Sequence, residues 1–524
     1  MKKIAIILLL LLSVALLFCA CGGGQSPEDS AAAPNTEGAA DQGSNADRVL
    51  NIGLGDELVD LDPHSNIFLP DNRVRSQIYD YLVQMDAEGH VAGSLAESYE
   101  VSEDGLTYTF HLNKGVLFSD GDELKASDVK FSVDRAAASA TNRSAFVNMK
   151  SCDAVDDYTV QILMNNADAS FLEKLTATYC CIVSEDVVNK YGDQFGKAAE
   201  SAIGTGPYIC TDYVFGESVD LAVNPNYFKG EANIKKVHYT IIKDSNSAVV
   251  ALQNGDIDLY MYDVPYSFME TVAKDPNLTM LEYPSYNWYY IMFNCEEGIF
   301  SDVRMRQAAA YGIDREKAML VALEGHGELA DSPGGSITVA NPGNPDWYQY
   351  DPEKAKALVK EAGMEGASVE LIYMTIDPFD KISTTMAEDL TNMGLNVTVT
   401  SMDSTVWDER CWFGGSGEFQ ITNMRWFYTT KDMSETMNKN LSSAGSGNLS
   451  RYVNPAMDEL LTQAGAEFDL SQREALYAEA LNIFNQDVPV LPLFYAANSR
   501  AFTKDLTVDE NVVRYDRLYD YSWK

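Results

Sequence analysis

The segment from Leu106 to Leu112 alternates apolar and polar side chains, which marks a strand with one buried face. Asp104-Gly105 just before it is a strong turn signal between two strands, and Ala96 to Ser102 supplies the approach to that turn. Lys114-Gly115 and Asp120-Gly121 mark two further turns. Ala126-Ser127-Asp128-Val129 then opens a helix, with Ser127 as its N-cap. Upstream, the mostly apolar Val49 to Leu54 reads as a strand and Arg73 to Leu82 as a helix. Downstream, helices are expected over Ser245 to Asn254, Asp302 to Gly312, Pro352 to Ala362, Ser383 to Met393 and Ser471 to Phe484. Strands Val369 to Tyr373 and Val397 to Thr400 flank the fourth of these and make a βαβ unit. No internal repeat of 20–50 residues is visible. The pattern is α/β with an additional β-rich segment.

The N-terminus follows a different pattern. Met1-Lys2-Lys3 precedes an apolar run from Ile4 to Ala20, the layout of a secretory signal. The run is a little short for a spanning helix, which needs about 20 apolar residues. It ends in Ala20-Cys21-Gly22, which resembles a bacterial lipobox and implies cleavage before Cys21 and lipid on its sulfur. The following stretch to residue 48 is rich in Ser, Ala, Pro, Asn, Gly and acids. Such a segment buries too little apolar surface to offset its ordering entropy and reads as a flexible tether.

Composition changes the picture in three ways. The remaining body is too long for a single core, so two or three lobes are expected. The 46% apolar and 11% aromatic content is enough to fill them. A net charge of −40 argues against nucleic-acid binding, which needs a basic footprint. The acids are scattered along the chain, as a solvated surface would have them. Among the body cysteines, Cys152, Cys180, Cys181, Cys210, Cys295 and Cys411, no C-x-x-C pair occurs, and buried free thiols are the default expectation.

Five segments in order resemble one family, the family 5 solute-binding proteins of peptide and nickel ABC importers, of the large oligopeptide/dipeptide-binding type. They are Leu95 to Arg135 (LAESYEVSEDGLTYTFHLNKGVLFSDGDELKASDVKFSVDR), Gly204 to Leu259 (GTGPYICTDYVFGESVDLAVNPNYF through ALQNGDIDL) and Phe300 to Arg315 (FSDVRMRQAAAYGIDR). The last two are Tyr350 to Gly363 (YDPEKAKALVKEAG) and Tyr452 to Phe494, with NPAMDELL and VPVLPLF. Taken by their residues, these blocks are structural: Asp-Gly turns close hairpins, and Gly204-Thr205-Gly206-Pro207 sets a tight turn before a strand. The resemblance implies a two-lobed periplasmic-binding-protein fold with an extra β-rich subdomain in lobe one. Residues 1–20 would be the signal and 21–48 the tether. Lobe one would be 49–290 plus 495–524, with the subdomain at about 80–200, and lobe two 291–494. Crossovers are expected near Tyr290 to Asn294 and at Phe494-Tyr495. A solute would sit between the lobes, and the closed form would be read by permease and ATPase subunits at the outer face of the cytoplasmic membrane. The chain would act as a lipid-anchored monomer, with no cofactor and no catalysis.

In peptide-binding relatives a Trp ends a strand of lobe two, and an Asp close behind it pairs with the peptide ammonium. Here Trp426 matches, but the acidic position holds Thr429, and the next acid is Asp432. A hydroxyl does not neutralise a buried ammonium. Asp432 or Glu435 reaching back is one alternative. Arg425 and Lys431 binding a carboxylate is another, and both pointing into solvent a third. The aromatic cluster Tyr283, Tyr286, Trp288, Tyr289 and Tyr290 is expected to contribute cleft contacts, chiefly through Tyr286 and Trp288. Asp62-Pro63-His64 is expected at the cleft rim, whereas Trp407 and Trp412 read as packing residues.

Rival classes are poorly supported. No G-x-S-x-G or H-E-x-x-H occurs, and the five histidines are far apart in sequence, so no hydrolase constellation is visible. No His cluster or Cys pair suggests bare metal ligation, which leaves a metal chelate as the alternative solute within the family. A solute sensor for a signalling partner is the other alternative.

Overall fold

The computed structural model describes residues 48–86, 90–285, 287–412, 415–427, 430–508 and 517–524. Cys21, the signal and the tether, along with Tyr286 and Thr429, lie outside the described residues.

The chain builds a mixed α/β structure on three main sheets. The strand Val49–Leu54 sits near the middle of the first. It pairs in parallel with Lys236–Ile241 on one side and Leu259–Tyr260 on the other. Seven strands form this sheet among the described residues, and Asn498–Thr503 closes it from the C-terminal end, between Leu259–Tyr260 and Leu278–Tyr283. A second sheet of six strands holds Asn287–Phe293, Val490–Ala496, Ile421–Phe427 and the expected βαβ unit. That unit pairs Ser368–Met374 in parallel with Asn396–Met402 across the helix Phe379–Asn392. A four-stranded antiparallel sheet, Ala96–Val101 to Met164, carries the Asp104-Gly105 hairpin where alternation placed it. Each sheet has its own apolar core.

Several helices start and stop where local chemistry demands. Ser245–Asn254 is capped by the Asp244 carboxylate, which accepts from the Ser247 amide at 2.8 Å, and it ends at Gly255 with φ of 79°. Other boundaries shift. The first helix spans Leu69–Ile78, earlier than expected, because Pro70 presets its first turn. The helix after the third turn starts at Ala126, so Ser127 is not its N-cap; the Asp128 carboxylate instead accepts the Lys125 amide at 3.0 Å. The fourth expected helix begins at Phe379 rather than Ser383.

Two expectations change more substantively. Neither Gly204 nor Gly206 serves a left-handed turn. A Cβ at Gly204 would fall 2.1 Å from the Ile78 carbonyl oxygen, and the Gly206 amide donates to that same oxygen at 2.9 Å. These glycines let one backbone lie against the end of the first helix. The segments read as crossovers also lie inside the six-stranded sheet. Asn287–Phe293 is hydrogen-bonded to neighbours on both edges, and Phe494 and Tyr495 pair within that sheet too. Tyr283 is the last residue of its strand in the first sheet and Asn287 the first in the second, and Ala496 and Asn498 stand in the second and first sheets in turn. Five of the six body cysteines are buried, and Cys295 is half-buried.

Candidate functional site

The strand Ile421–Phe427 lies against Asn287–Phe293 with Trp426 opposite Trp288 and Arg425 opposite Tyr289. The aromatic cluster on the second strand is mostly core. Trp288 is fully buried and stacks on Tyr290 with centroids 4.1 Å apart, and it presents no surface to a solute. Alternation fails here because the strand is central in its sheet and packed on both faces, so residues 288–293 are all buried. Tyr289 is also buried, but its hydroxyl accepts from Arg425 Nη1 at 3.2 Å.

Arg425 does not point into solvent. Its guanidinium lies 5.8 Å from the Tyr289 ring centroid and acts on Asp263, which follows the strand Leu259–Tyr260 of the other large sheet. Solvent reaches Asp263, yet protein surrounds it closely enough that desolvation pushes its carboxyl up, against the pull of Arg500, Arg73 and Arg425. An accessible group so enclosed is what the floor of a cleft produces. The Asp263 carboxylate accepts the Ser499 amide at 2.7 Å, and the Ser499 hydroxyl accepts the Val264 amide at 2.7 Å. Arg500, next in chain, donates to the Tyr283 hydroxyl at 3.2 Å. Arg73, from the first helix, lies 4.4 Å from the Tyr262 ring centroid. Where the chain passes between sheets, the Asn287 side-chain amide donates to that of Asn498 at 3.2 Å. Sequence reading found Arg425 but not Asp263, Arg73 or Arg500, which are scattered over more than 400 positions and carry no local motif.

Trp426, which follows Arg425 in the strand Ile421–Phe427, is half-buried. Its ring stacks on that of Trp412 at 6.2 Å with an 11° tilt, and Lys439 Nζ lies 5.2 Å from its centroid. Trp412 is 40% exposed, so it extends an aromatic surface instead of filling a core. Trp407, by contrast, is fully buried and donates its ring N–H to Thr422 at 3.0 Å.

Asp432 is engaged within the protein. It is 2% exposed, pairs with Arg473 and accepts the Ser434 amide at 2.9 Å as the N-cap of the helix Met433–Leu441. Glu435 is likewise occupied, by Lys439 at 2.8 Å. Lys431 is half-buried, and desolvation lowers its pKa despite nearby Glu173 and Asp86. Its backbone amide donates to the Glu173 carboxylate, which joins the second large sheet's surroundings to the four-stranded region. A crevice of about 940 Å³ runs along that junction, lined by Asn142, Asn148 and Ser170 on one side and Glu435, Asn438 and Lys439 on the other.

Asp62 and His64 are not at a rim. Asp62 grips Arg135 of the helix Ala126–Ala138 with two bonds of 2.7 and 2.6 Å. His64 is 3% exposed, with Nε2 at 3.0 Å from the Cys181 carbonyl and Nδ1 at 2.9 Å from Arg135. Burial and the Arg135 charge push the His64 pKa down to about 4. This motif ties the first sheet to the four-stranded one.

Among the described residues, no group of three or more His, Cys, Asp or Glu side chains is placed to hold a metal ion.

Comparison with known proteins points in one direction. Residues 90–448 match the family described as bacterial extracellular solute-binding proteins, family 5, middle. Heme-binding protein A of Haemophilus influenzae is 28% identical over 460 residues, 81% of this chain and 83% of that protein. The glutathione-binding protein GsiB of Escherichia coli K12 is 27% identical over 474 residues, 87% of this chain and 90% of its own. Among solved structures, HbpA2 of Haemophilus parasuis superposes with a TM-score of 0.82 at 26% identity, covering 91% of this chain and all of the other. DppA of Helicobacter pylori, a periplasmic binding protein in complex with the peptide STSA, gives 0.77 at 26% identity, covering 91% and 98%.

Proposed function

Because this chain belongs to family 5 of the bacterial extracellular solute-binding proteins, we propose that it captures a small solute between its two large sheets and delivers it to the permease of an ABC importer. The observation that carries this is the floor around Asp263. Arg425 of one large sheet, together with Arg73 of the first helix and the buried Arg500 of the other large sheet, acts on the exposed carboxylate of Asp263. A solute touching both sides stabilises the closed form by its differential contacts, and a permease can read that form. The lobes would be about 49–290 with 495–524 and 291–494, adjusted so that Asn287–Phe293 and Val490–Ala496 both belong to the second. The relatives' named ligands are heme, glutathione and a peptide, all of which bear carboxylates. With Thr429 in the acidic position and Asp432 committed to Arg473, a peptide held only by its ammonium at this strand is disfavoured. A peptide-like or other small carboxylate solute fits better, with Trp426 as its aromatic wall.

Mass spectrometry of the gently purified protein should find one co-purified small solute, and titration of that solute should give one site without turnover. Recovery of no solute, together with no calorimetric response to a library of peptides, organic acids and chelates, would sink this reading. Trp426→Ala should weaken binding of the recovered solute by about 1–3 kcal/mol, by the usual cost of truncating a central aromatic contact. Unchanged affinity would remove Trp426 from the wall.

We also propose that Cys21 is lipidated and keeps the receptor near its permease. A tether of about 25 residues reaches roughly 25–30 Å, which raises local concentration without fixing orientation. Cys21→Ser should abolish labelling by a fatty-acid probe and release the protein from the membrane fraction. Retention of both label and membrane association would exclude this anchor.

A further inference from the structure

His326 stands where the first and second sheets are joined. It directly precedes Gly327–Leu329, a strand of the second sheet, yet both its backbone and its side chain reach outside that sheet. Its carbonyl oxygen accepts the Ala497 amide at 3.2 Å, and Ala497 is the residue between Val490–Ala496 of the second sheet and Asn498–Thr503 of the first. Its Nδ1 lies 3.0 Å from Glu282 Oε1, near the end of Leu278–Tyr283 in the first sheet. The imidazole also lies flat against the Tyr266 ring, with centroids 5.8 Å apart and planes tilted by 5°. Tyr266 opens the helix Tyr266–Ala273, which leads into that same first-sheet strand. The side chains of His326 and Glu282 are 31% and 38% exposed, so water reaches both. A cavity of about 400 Å³ opens beside the pair, lined by Glu282, Tyr283 and Pro284 together with Gly327, Glu328 and Ala497. Packing therefore leaves the pair room to move.

The charged and titratable neighbours of His326 divide by the sheet they travel with. Glu324 is exposed, Glu328 accepts the Ser336 hydroxyl at 2.8 Å, and both belong to the same segment as His326. Tyr495, opposite Glu328 in the second sheet, has its phenol pushed up by burial. On the side of the first sheet stand Glu282, Tyr266, Tyr283 with Arg500 on its hydroxyl at 3.2 Å, and the Glu270–Lys274 pair one turn beyond Tyr266. Burial pushes the Tyr266 phenol up as well. Glu282 and Tyr266 are thus the direct partners of the imidazole that shift against it when one sheet moves on the other. An imidazolium binds a carboxylate more strongly than a neutral imidazole does, and it is drawn to the face of a phenol ring. A proton that strengthens contacts made in one arrangement and lost in another favours the first. Imidazole exchanges its proton between about pH 5 and 8. In the arrangement seen here the two sides of the 940 Å³ crevice touch, because the Ala169 amide donates to the Gly465 carbonyl at 3.0 Å. Resting on the solute-capture reading above, we propose that His326 is a pH-sensitive clasp at the hinge. Its protonation tightens the bond to Glu282 and favours this closed arrangement, so solute is held more firmly as pH falls from about 8 to about 5.

The test uses the mature full-length protein with one spin label on each side of the crevice, at Val147→Cys and Thr462→Cys, in a Cys295→Ser background. Both labelled positions are exposed. Pulsed electron resonance gives the distribution of label distances at several pH values without solute. The share of molecules at the short distance should rise about threefold from about pH 8 to about pH 5, the scale of one exposed ion pair. His326→Gln and Glu282→Gln should each flatten that profile. His238→Gln removes a similar pair inside the first sheet, 2.8 Å from Asp220, and should leave the profile unchanged. Melting curves show that each variant is folded. A flat profile with His326 intact, a short-distance share that grows as pH rises, or a profile retained by His326→Gln overturns the clasp. Solute capture still stands in each case if a small-molecule extract of the producing cells shortens the distance. One distance, unmoved by pH or by extract, overturns both.

Discussion

Arg75→Met is expected to cost about 3–5 kcal/mol of folding stability, the scale for stripping one partner from a buried ion network. Arg75 is fully buried, and its guanidinium reaches Asp60 at 2.5 Å, Asp71 at 3.0 Å and Ser65 at 3.1 Å. Asp71 is fully buried too and accepts the Val59 and Asp60 amides at 3.2 and 3.1 Å. The network thus fixes the loop that joins the first strand to the first helix. That loop carries exposed Ile67 and Phe68, and Ile67 lines the 940 Å³ crevice. Burial pushes the Asp71 carboxyl up, and Arg75 opposes that shift. Without Arg75 the Asp71 carboxyl should be raised further above its unfolded value. A group raised in the folded state lends its stability below the unfolded pKa and loses it as pH rises through the folded one. The variant's deficit should therefore be widest at neutral pH and narrow towards about pH 4. Denaturant melts of both proteins at several pH values check this; a deficit under about 1 kcal/mol at neutral pH would show that the pair is dispensable.

Asp432→Ala should also cost about 3–5 kcal/mol, while affinity per folded molecule stays unchanged. The substitution leaves Arg473 buried without its carboxylate and strips the N-cap from Met433–Leu441. Melting curves measure the first effect and titration with the co-purified solute the second. The opposite pattern, intact stability and lost affinity, would restore Asp432 as a ligand for the solute. Arg473→Met should destabilise comparably, because it leaves Asp432 as the uncompensated charge.

Some of this was legible from residues near one another in the chain. Leu106 to Leu112 alternates and is a strand with one buried face in a hairpin. Asp244, Asp302, Asp351 and Asp469 each cap the helix that follows them. These features depend on backbone hydrogen bonds and turn geometry within a few residues, so local sequence contains their cause. Trp288 shows where that logic stops. Its alternation suggests one open face, but the neighbouring strands and the helices above and below close both. Gly204 and Gly206 show the same limit: their reason is Ile78, more than a hundred residues away.

The sequence by itself therefore determined the element types, the family, the expected export signal and the absence of an acid at position 429. Those properties follow from short-range periodicity, capping and ordered motifs. Only the tertiary structure decided which charges are paired inside the protein. It gave Asp432 to Arg473 and Asp62 to Arg135. It set Arg73, Arg425 and Arg500, far apart in the chain, to act on the one carboxyl of Asp263. The physical reason is that charge works through distance and desolvation in space, and neither quantity is written in the spacing of residues along a chain.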